Sequence, residues 1–507
     1  MRMIRRLLDG WRGETNAHRY SLVALLAIGT GVRLFFLFQP MMQDEAANYM
    51  YFAAKPLSYG LSHYPEPSNH LLNTFLMHWV TRVFGNAVWA IRLPAFISGI
   101  LLIPVAYLLI RRLYNKNAAL LATALVVVAP QLIAYSDDAR GYSLQALIFA
   151  LLLLTAIWLM RSPSVRGWIW FIVLSALGFY AVPTMLYFFA AAVLWMLLSI
   201  VFKDVRQKTW SFIAALAGSC AAVVLIVFLL YLPIIVVSGL SSVTSNTWVS
   251  SRTWSAFGSG LWRVLKQYSA GWNDGIPMVI AILLALGMIV SVVFQKKIGR
   301  TKVSLFYPAV VAGFGLIVIQ RVLPPSRVWL PLLPVYLGLS AAGFVFTGEK
   351  VGELLEKKRK LDVRPYLFPV VVCVLALLLG AVVVTSRAPY QPNDQVRLRD
   401  AEKIVEYLQT RLKSGDIVYS EANIRKPLEY YFIRHGIPLS YLYIYELGNT
   451  PYKNRKRAFI VAAPGEGYPL QKTLDGSNLQ HGKNLHLVKV AEFSHSVVYL
   501  LENPPLD

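Results

Sequence analysis

Two adjacent acids, Asp44 and Glu45, stand in "MMQDEAANYMYFAAK", directly after the apolar run "YSLVALLAIGTGVRLFFLFQP". Carboxylates in that place can open a helix, where the dipole favours them, or act as a base toward an incoming hydroxyl. A second polar group, "YSDDARGYSL", follows a later apolar run and carries Asp137, Asp138, Arg140 and Tyr142. On its own it reads as an ordinary turn between two helices. Arg92, in "NAVWAIRLPAF", and Arg33, about two turns inside the first run, lie within apolar sequence. A charge inside a bilayer costs roughly 2.5–3.5 kcal/mol on insertion scales and persists where it is paired or functional. Pairing among these arginines and the acids is therefore expected. His63, Glu66, His70 and His78 invite a zinc reading, but their spacing fits no common ligand pattern. No metal is assigned, and a divalent ion stays open.

The elements that must position these residues follow from composition. The chain has 507 residues, of which 56% are hydrophobic and only 15% charged; soluble domains carry about a quarter charged residues. The excess lies in apolar segments of roughly 18–25 residues, each long enough to cross a bilayer. We read eleven helical spans, at about 20–39, 87–110, 117–135, 143–160, 167–182, 184–202, 211–237, 277–295, 303–320, 327–347 and 365–385. Continuous apolar runs exclude an outer-membrane barrel, whose strands alternate. The net charge of +23 does not mark a nucleic-acid binder. Its Lys and Arg residues cluster in alternate loops, and those loops are cytoplasmic by the positive-inside rule. The N-terminus is then inside and the C-terminus outside. Cys220 and Cys373 lie in apolar segments and read as packing residues, not as a disulfide. The first apolar run is too long for a cleavable signal and lacks a small-residue cleavage site.

With this orientation, residues 40–86, a turn near 136–142, residues 238–276 and everything after 385 face the outside. In the first outer loop "DEAANYMYFAAK" and "HLLNTFLMHWVTRVFG" read as two interfacial helices, with Tyr49, Tyr51 and Trp79 suited to the headgroup zone. Residues 386–507 mix short β-like runs ("DIVYS", "AFIVAA", "LHLVKVAEF", "SVVYLLE") with helical ones. The expected organisation is an α-helical polytopic membrane domain, 1–385, and a small extracytoplasmic α/β domain, 386–507.

The order of an apolar span, "DEA", a loop with "NHLL", "FGNAVWAIRLPAF" and "PQLIAYSDDARGYSLQAL" resembles the C-superfamily (GT-C) membrane glycosyltransferases. The likeness is to the branch of protein O-mannosyltransferases and lipid A aminoarabinose transferase, and covers the N-terminal 200 residues. It implies transfer of a sugar from a polyprenyl-phosphate donor to an acceptor on the outer face. Asp44 matches the family acid that serves as base or binds acceptor, Glu45 supports it, and Arg92 matches the arginine opening the second span. Arg140 and Tyr142 match the motif after the third span. His70 matches the loop histidine, although Leu71 replaces the usual proline after it. Displacement at an anomeric carbon needs a base for the hydroxyl and cations for the departing phosphate. Arg140 and Arg327, the latter in "PPSRVWLPLLP", are the expected phosphate ligands; Arg252, Lys266 and Arg321 are further outward cations. Glu66 and Asp138 are reserve or supporting acids. The expected partners are the lipid-linked donor and a protein, lipid or glycan acceptor. The expected location is the inner (plasma) membrane, with the site on its periplasmic or extracellular face. A transporter or flippase of a lipid-linked sugar is the competing class. The chain shows none of the internal symmetry such proteins often carry.

Overall fold

The computed structural model describes residues 15–65, 67–206, 208–244, 250–273, 275–359, 366–390, 397–443, 457–475 and 486–502. Helices of six residues or more are numbered α1 to α18. They are α1 (Asn16–Leu37), α2 (Gln43–Asn48), α3 (Leu71–Phe84), α4 (Val88–Leu113), α5 (Lys116–Val128), α6 (Pro130–Ser136), α7 (Tyr142–Arg161), α8 (Val165–Ala181) and α9 (Met185–Val201). After these come α10 (Thr209–Ser238), α11 (Trp254–Asn273), α12 (Met278–Val293), α13 (Phe306–Gln320), α14 (Leu333–Arg359) and α15 (Leu367–Ser386). The last are α16 (Ala401–Gln409), α17 (Ala422–Arg434) and α18 (Leu470–Asp475). Every one of the eleven expected spans is helical. Among the described residues, six helices are long and apolar enough to cross a membrane by themselves, or up to eight if each of two bent pairs is one span. Three shorter apolar helices, α8, α9 and α13, fall on three of the other expected runs.

One expected span is broken. The run read as a single helix over 117–135 bends by 59° between α5 and α6. Pro130 causes it: proline has no N–H to offer the carbonyl of Val126 and clashes with it, so the helix restarts with Pro130 in its first turn. Two carbonyls at the break lose their helical donors, and a buried apolar surrounding cannot supply water to them.

Residues fall into two compact units. The first holds Met1–Leu37, Leu57–Val80 and Arg92–Asp394, and its core is built where apolar helices touch. Backbones approach closely at small residues: a Cβ on Gly343 would collide with the carbonyl of Gly287, which brings α12 and α14 into direct contact. The second unit holds Phe38–Pro56, Thr81–Ile91 and Gln395–Asp507. It contains a four-stranded sheet ordered β1–β2–β4–β3, with β1 (Ile417–Ser420), β2 (Arg457–Ala462), β3 (Leu487–Glu492) and β4 (Val497–Glu502). These strands coincide with the four β-like runs of the sequence. β1 and β2 pair in parallel and are almost wholly buried, as parallel strands must be. The connection between them includes α17, since parallel neighbours need a crossover. The edge strand β3 carries Lys489 and Glu492 on its exposed positions, which discourages pairing with another chain.

Candidate active site

In the first unit the break between α5 and α6 sets the geometry. Arg33 on α1 is fully buried and donates to the carbonyls of Val126 and Val127, both at 3.3 Å, to Gly29 O at 3.1 Å and to Ser136 Oγ at 3.1 Å. The carbonyls orphaned by Pro130 are thus capped by an intramembrane arginine, and the Asp137 carboxylate acts electrostatically on the same guanidinium. Arg92, also fully buried, donates at 2.9 Å to the carbonyl of Leu37, the last residue of α1. Both arginines therefore close helix ends, a use that residue type and spacing alone do not reveal.

The turn after α6 is held from α3. Asn73 Nδ2 donates to the carbonyl of Ala139 at 2.9 Å, and the N–H of Gly141 donates to His70 Nδ1 at 2.7 Å. Residues 70 and 73 are one turn apart, so one face of α3 and the residue before it grip both sides of Arg140. Glycine at 141 suits that fit. A Cβ there would lie 3.0 Å from the carbonyl oxygen of Ala181 and 3.1 Å from His70 Cβ.

Four of the expected site residues meet at this turn. The guanidinium carbon of Arg140 lies 5.0 Å from the centre of the Tyr142 ring. The His70 ring stands edge-on to Tyr142 with centroids 4.9 Å apart, and Arg327 Nε donates to Tyr142 Oη at 3.3 Å. Burial, then the charges of Arg140 and of Arg327, hold the His70 imidazole well below its ordinary range. His70 is therefore neutral near pH 7. Its Nδ1 accepts the Gly141 N–H, which places its proton on Nε2. Asp137 and Asp138 in the same turn are buried as well.

Arg327 comes from a 3-10 turn, Ser326–Leu332, that precedes α14. Two residues on, Trp329 forms part of the wall of a cavity of about 1130 Å³. The lining is chiefly apolar, from Trp272, Phe314, Trp329 and Leu339 among others, with Lys266, Tyr268, Ser269 and Asn273 among its polar members. Lys266 also lies 5.3 Å from the Trp262 ring, Arg321 stands over Trp254, and the Arg252 N–H donates to the Arg321 carbonyl.

Asp44 and Glu45 belong to the second unit. Glu45 is fully buried at the third position of α2, and its carboxylate accepts the N–H of Met42 at 2.8 Å, closing the helix start. Asp44 beside it is half-buried. The helix continues into a π-helical turn, Tyr49–Ala53, of a kind that recurs at functional sites. Gln43 ties this helix to α17: its amide donates to Ala422 O at 3.0 Å and accepts the Lys426 N–H at 3.0 Å. Beneath lies a buried group of Arg425, Lys426 and Glu429, with Tyr51 Oη donating to Glu429 at 3.2 Å. Among the described residues, three metal-ligating side chains come together only as Glu402, Glu406 and His435, remote in sequence from the motif residues. The reserve acid Glu66 lies outside the described residues.

Residues 68–232 match a family model described as Dolichyl-phosphate-mannose-protein mannosyltransferase. That stretch includes His70, Arg92, Arg140 and Tyr142 and begins after Asp44 and Glu45. No curated protein matches the chain by sequence. Among solved structures, ArnT from Cupriavidus metallidurans in the apo state superposes with a TM-score of 0.60. It is 12% identical and covers 97% of this chain and 98% of its own. The same protein bound to undecaprenyl phosphate gives 0.54 at 13% identity, covering 94% and 97%. The chain thus has the many apolar helices of a multi-pass membrane protein and shares the fold of ArnT.

Proposed function

We propose that this protein is a membrane glycosyltransferase that moves a sugar from a polyprenyl-phosphate carrier to an acceptor on the outer, periplasmic or extracellular face of the plasma membrane. One observation carries the reading: the cationic cluster of Arg140 and Arg327, joined through Tyr142, shares the turn 326–332 with the wall of a large apolar cavity. A lipid phosphate needs both features, cations for the headgroup and an apolar space for the chain. The undecaprenyl phosphate held by ArnT supports such a donor.

In this mechanism the acceptor hydroxyl attacks the anomeric carbon, and its proton passes to the Asp44 carboxylate. The bond from that carbon to the phosphate oxygen breaks, and polyprenyl phosphate departs with its charge held by Arg140 and Arg327. A single displacement inverts the anomeric centre. The role of Asp44 rests on the "DE" resemblance, and Glu45 supports it by fixing the helix start. Residues 1–385 are proposed as the transferase domain and 386–507 as an extracytoplasmic domain. The test is binding of undecaprenyl phosphate to the purified protein: Arg140→Ala and Arg327→Ala should each weaken it by about 10- to 100-fold, the loss of a charge-assisted bond. Unchanged binding in both variants would move the phosphate site elsewhere.

A further inference from the structure

The cluster holds a third group for the anion, and it is not a cation. We infer that His70 binds the donor's phosphate as a neutral imidazole, donating through Nε2–H, while its Nδ1 serves only to latch the turn that carries Arg140. The inference rests on the phosphate-site reading above. Its geometry is local. The Nδ1 of His70 accepts the Gly141 N–H at 2.7 Å, so the ring is oriented and its tautomer fixed by the backbone. The residue is buried, and its ring stands edge-on to Tyr142, whose hydroxyl accepts from Arg327 Nε.

Tyr142 from α7 stands against the imidazole, and Arg140 from the turn and Arg327 from the 3-10 turn act on it electrostatically. Two fixed cations beside a histidine oppose its protonation, so a positive His70 would repel them and would lose the acceptor that Gly141 needs. A neutral donor avoids both costs and still offers a hydrogen bond to a phosphate oxygen. Metal ligation does not suit the same ring. A metal on Nε2 would put the proton on Nδ1, facing the Gly141 N–H donor. Asn73 completes the latch through Ala139 and is a positioning residue.

Two substitutions separate the two nitrogens. His70→Asn places an amide oxygen near the position of Nδ1 and keeps the latch without the Nε2 donor. His70→Gln extends an amide N–H toward the position of Nε2 and gives up the latch. Binding of undecaprenyl phosphate to the full-length protein in nanodiscs is the readout, with undecaprenol as the uncharged control. We expect His70→Asn to lose about 10- to 100-fold in affinity for the phosphate and nothing for the alcohol, with His70→Gln recovering part of the loss. If His70→Asn binds as the wild type does while Arg140→Ala and Arg327→Ala are weakened, this inference fails and the phosphate site stands. If none of the three changes binding, the site reading itself fails. A readout on the unaltered histidine keeps the matter decidable should either variant misfold. In ¹⁵N-histidine-labelled protein, His70 should show an unprotonated Nδ1 and a protonated Nε2 whose shift moves on adding undecaprenyl phosphate. A protonated Nδ1, or an Nε2 indifferent to the ligand, overturns the inference.

Discussion

Replacing Gly141 with alanine tests the latch on steric grounds alone. The residue has φ −76° and ψ 2°, a conformation open to alanine, so the backbone itself is not strained. The obstacle is contact: the new methyl would meet the Ala181 carbonyl oxygen at 3.0 Å, His70 Cβ at 3.1 Å and His70 Nδ1 at 3.2 Å. Ordinary contacts of this kind begin near 3.4 Å, and neither the carbonyl nor the Cβ is a flexible chain end. The turn must move by a few tenths of an ångström, stretching the 2.7 Å bond between Gly141 and His70. Overpacking costs about 1–3 kcal/mol, and the stiffer unfolded chain returns about 0.4–1 kcal/mol. The net runs from about zero to a loss of about 2.6 kcal/mol. Gly31→Ala and Gly218→Ala are the controls. Both glycines lie in helices, and a methyl added at either would have nothing within 4 Å, so alanine should be neutral or gain up to about 1 kcal/mol. Thermal midpoints in one detergent, read with and without undecaprenyl phosphate, compare the three. The reasoning is wrong if Gly141→Ala melts with or above the controls and binds the lipid as the wild type does.

Asp44→Asn should lower turnover by about 10²–10⁴-fold while the protein still binds donor, measured as kcat against lipid affinity; Glu45→Gln keeps an oxygen for the Met42 N–H and should cost far less, whereas Glu45→Ala should cost about 1 kcal/mol in stability. His70 has its folded pKa depressed, by burial and then by Arg140 and Arg327, so the unfolded chain takes up the proton first as pH falls. Stability should therefore be full above about pH 6.5 and fall below it, by at most about 1.4 kcal/mol per pH unit, with that slope absent in His70→Asn. For topology, single cysteines at the exposed positions Ser58 and Thr410, with Cys220 and Cys373 replaced, should react with an impermeant reagent from outside, and one at Arg166 only after permeabilisation.

Much of the fold is legible in the chain because apolar run length and loop charge depend on local composition. All eleven runs fold as helices for that reason, and the four C-terminal strands follow their β-branched and aromatic runs. Pro130 is visible in "VVVAPQLIAY", yet a run of apolar residues on both sides masks the break it imposes. The fate of Arg33 is hidden with it, because its partners are carbonyls that exist as acceptors only once the helix breaks. The meeting of Tyr142 with Arg327 spans 185 residues of chain, and only the family resemblance points to the first of them. Asn73 leaves no signal because its bond goes to a backbone carbonyl, for which side-chain types leave no trace. Glu45 has the look of half a catalytic pair. With methionine rather than serine or threonine at the helix start, nothing in the sequence signals that Glu45 closes it.

The most direct test of the central claim is a sugar-transfer assay with purified protein and a panel of polyprenyl-phosphate monosaccharides, following release of free polyprenyl phosphate. At least one donor should be consumed in the presence of an envelope acceptor fraction, and release should collapse in Asp44→Asn and in the Arg140→Ala, Arg327→Ala double variant. Soluble nucleotide sugars should stay intact. Release that is unaffected by these substitutions, or bidirectional passage of an intact lipid-linked sugar across the bilayer with no release at all, would contradict the account.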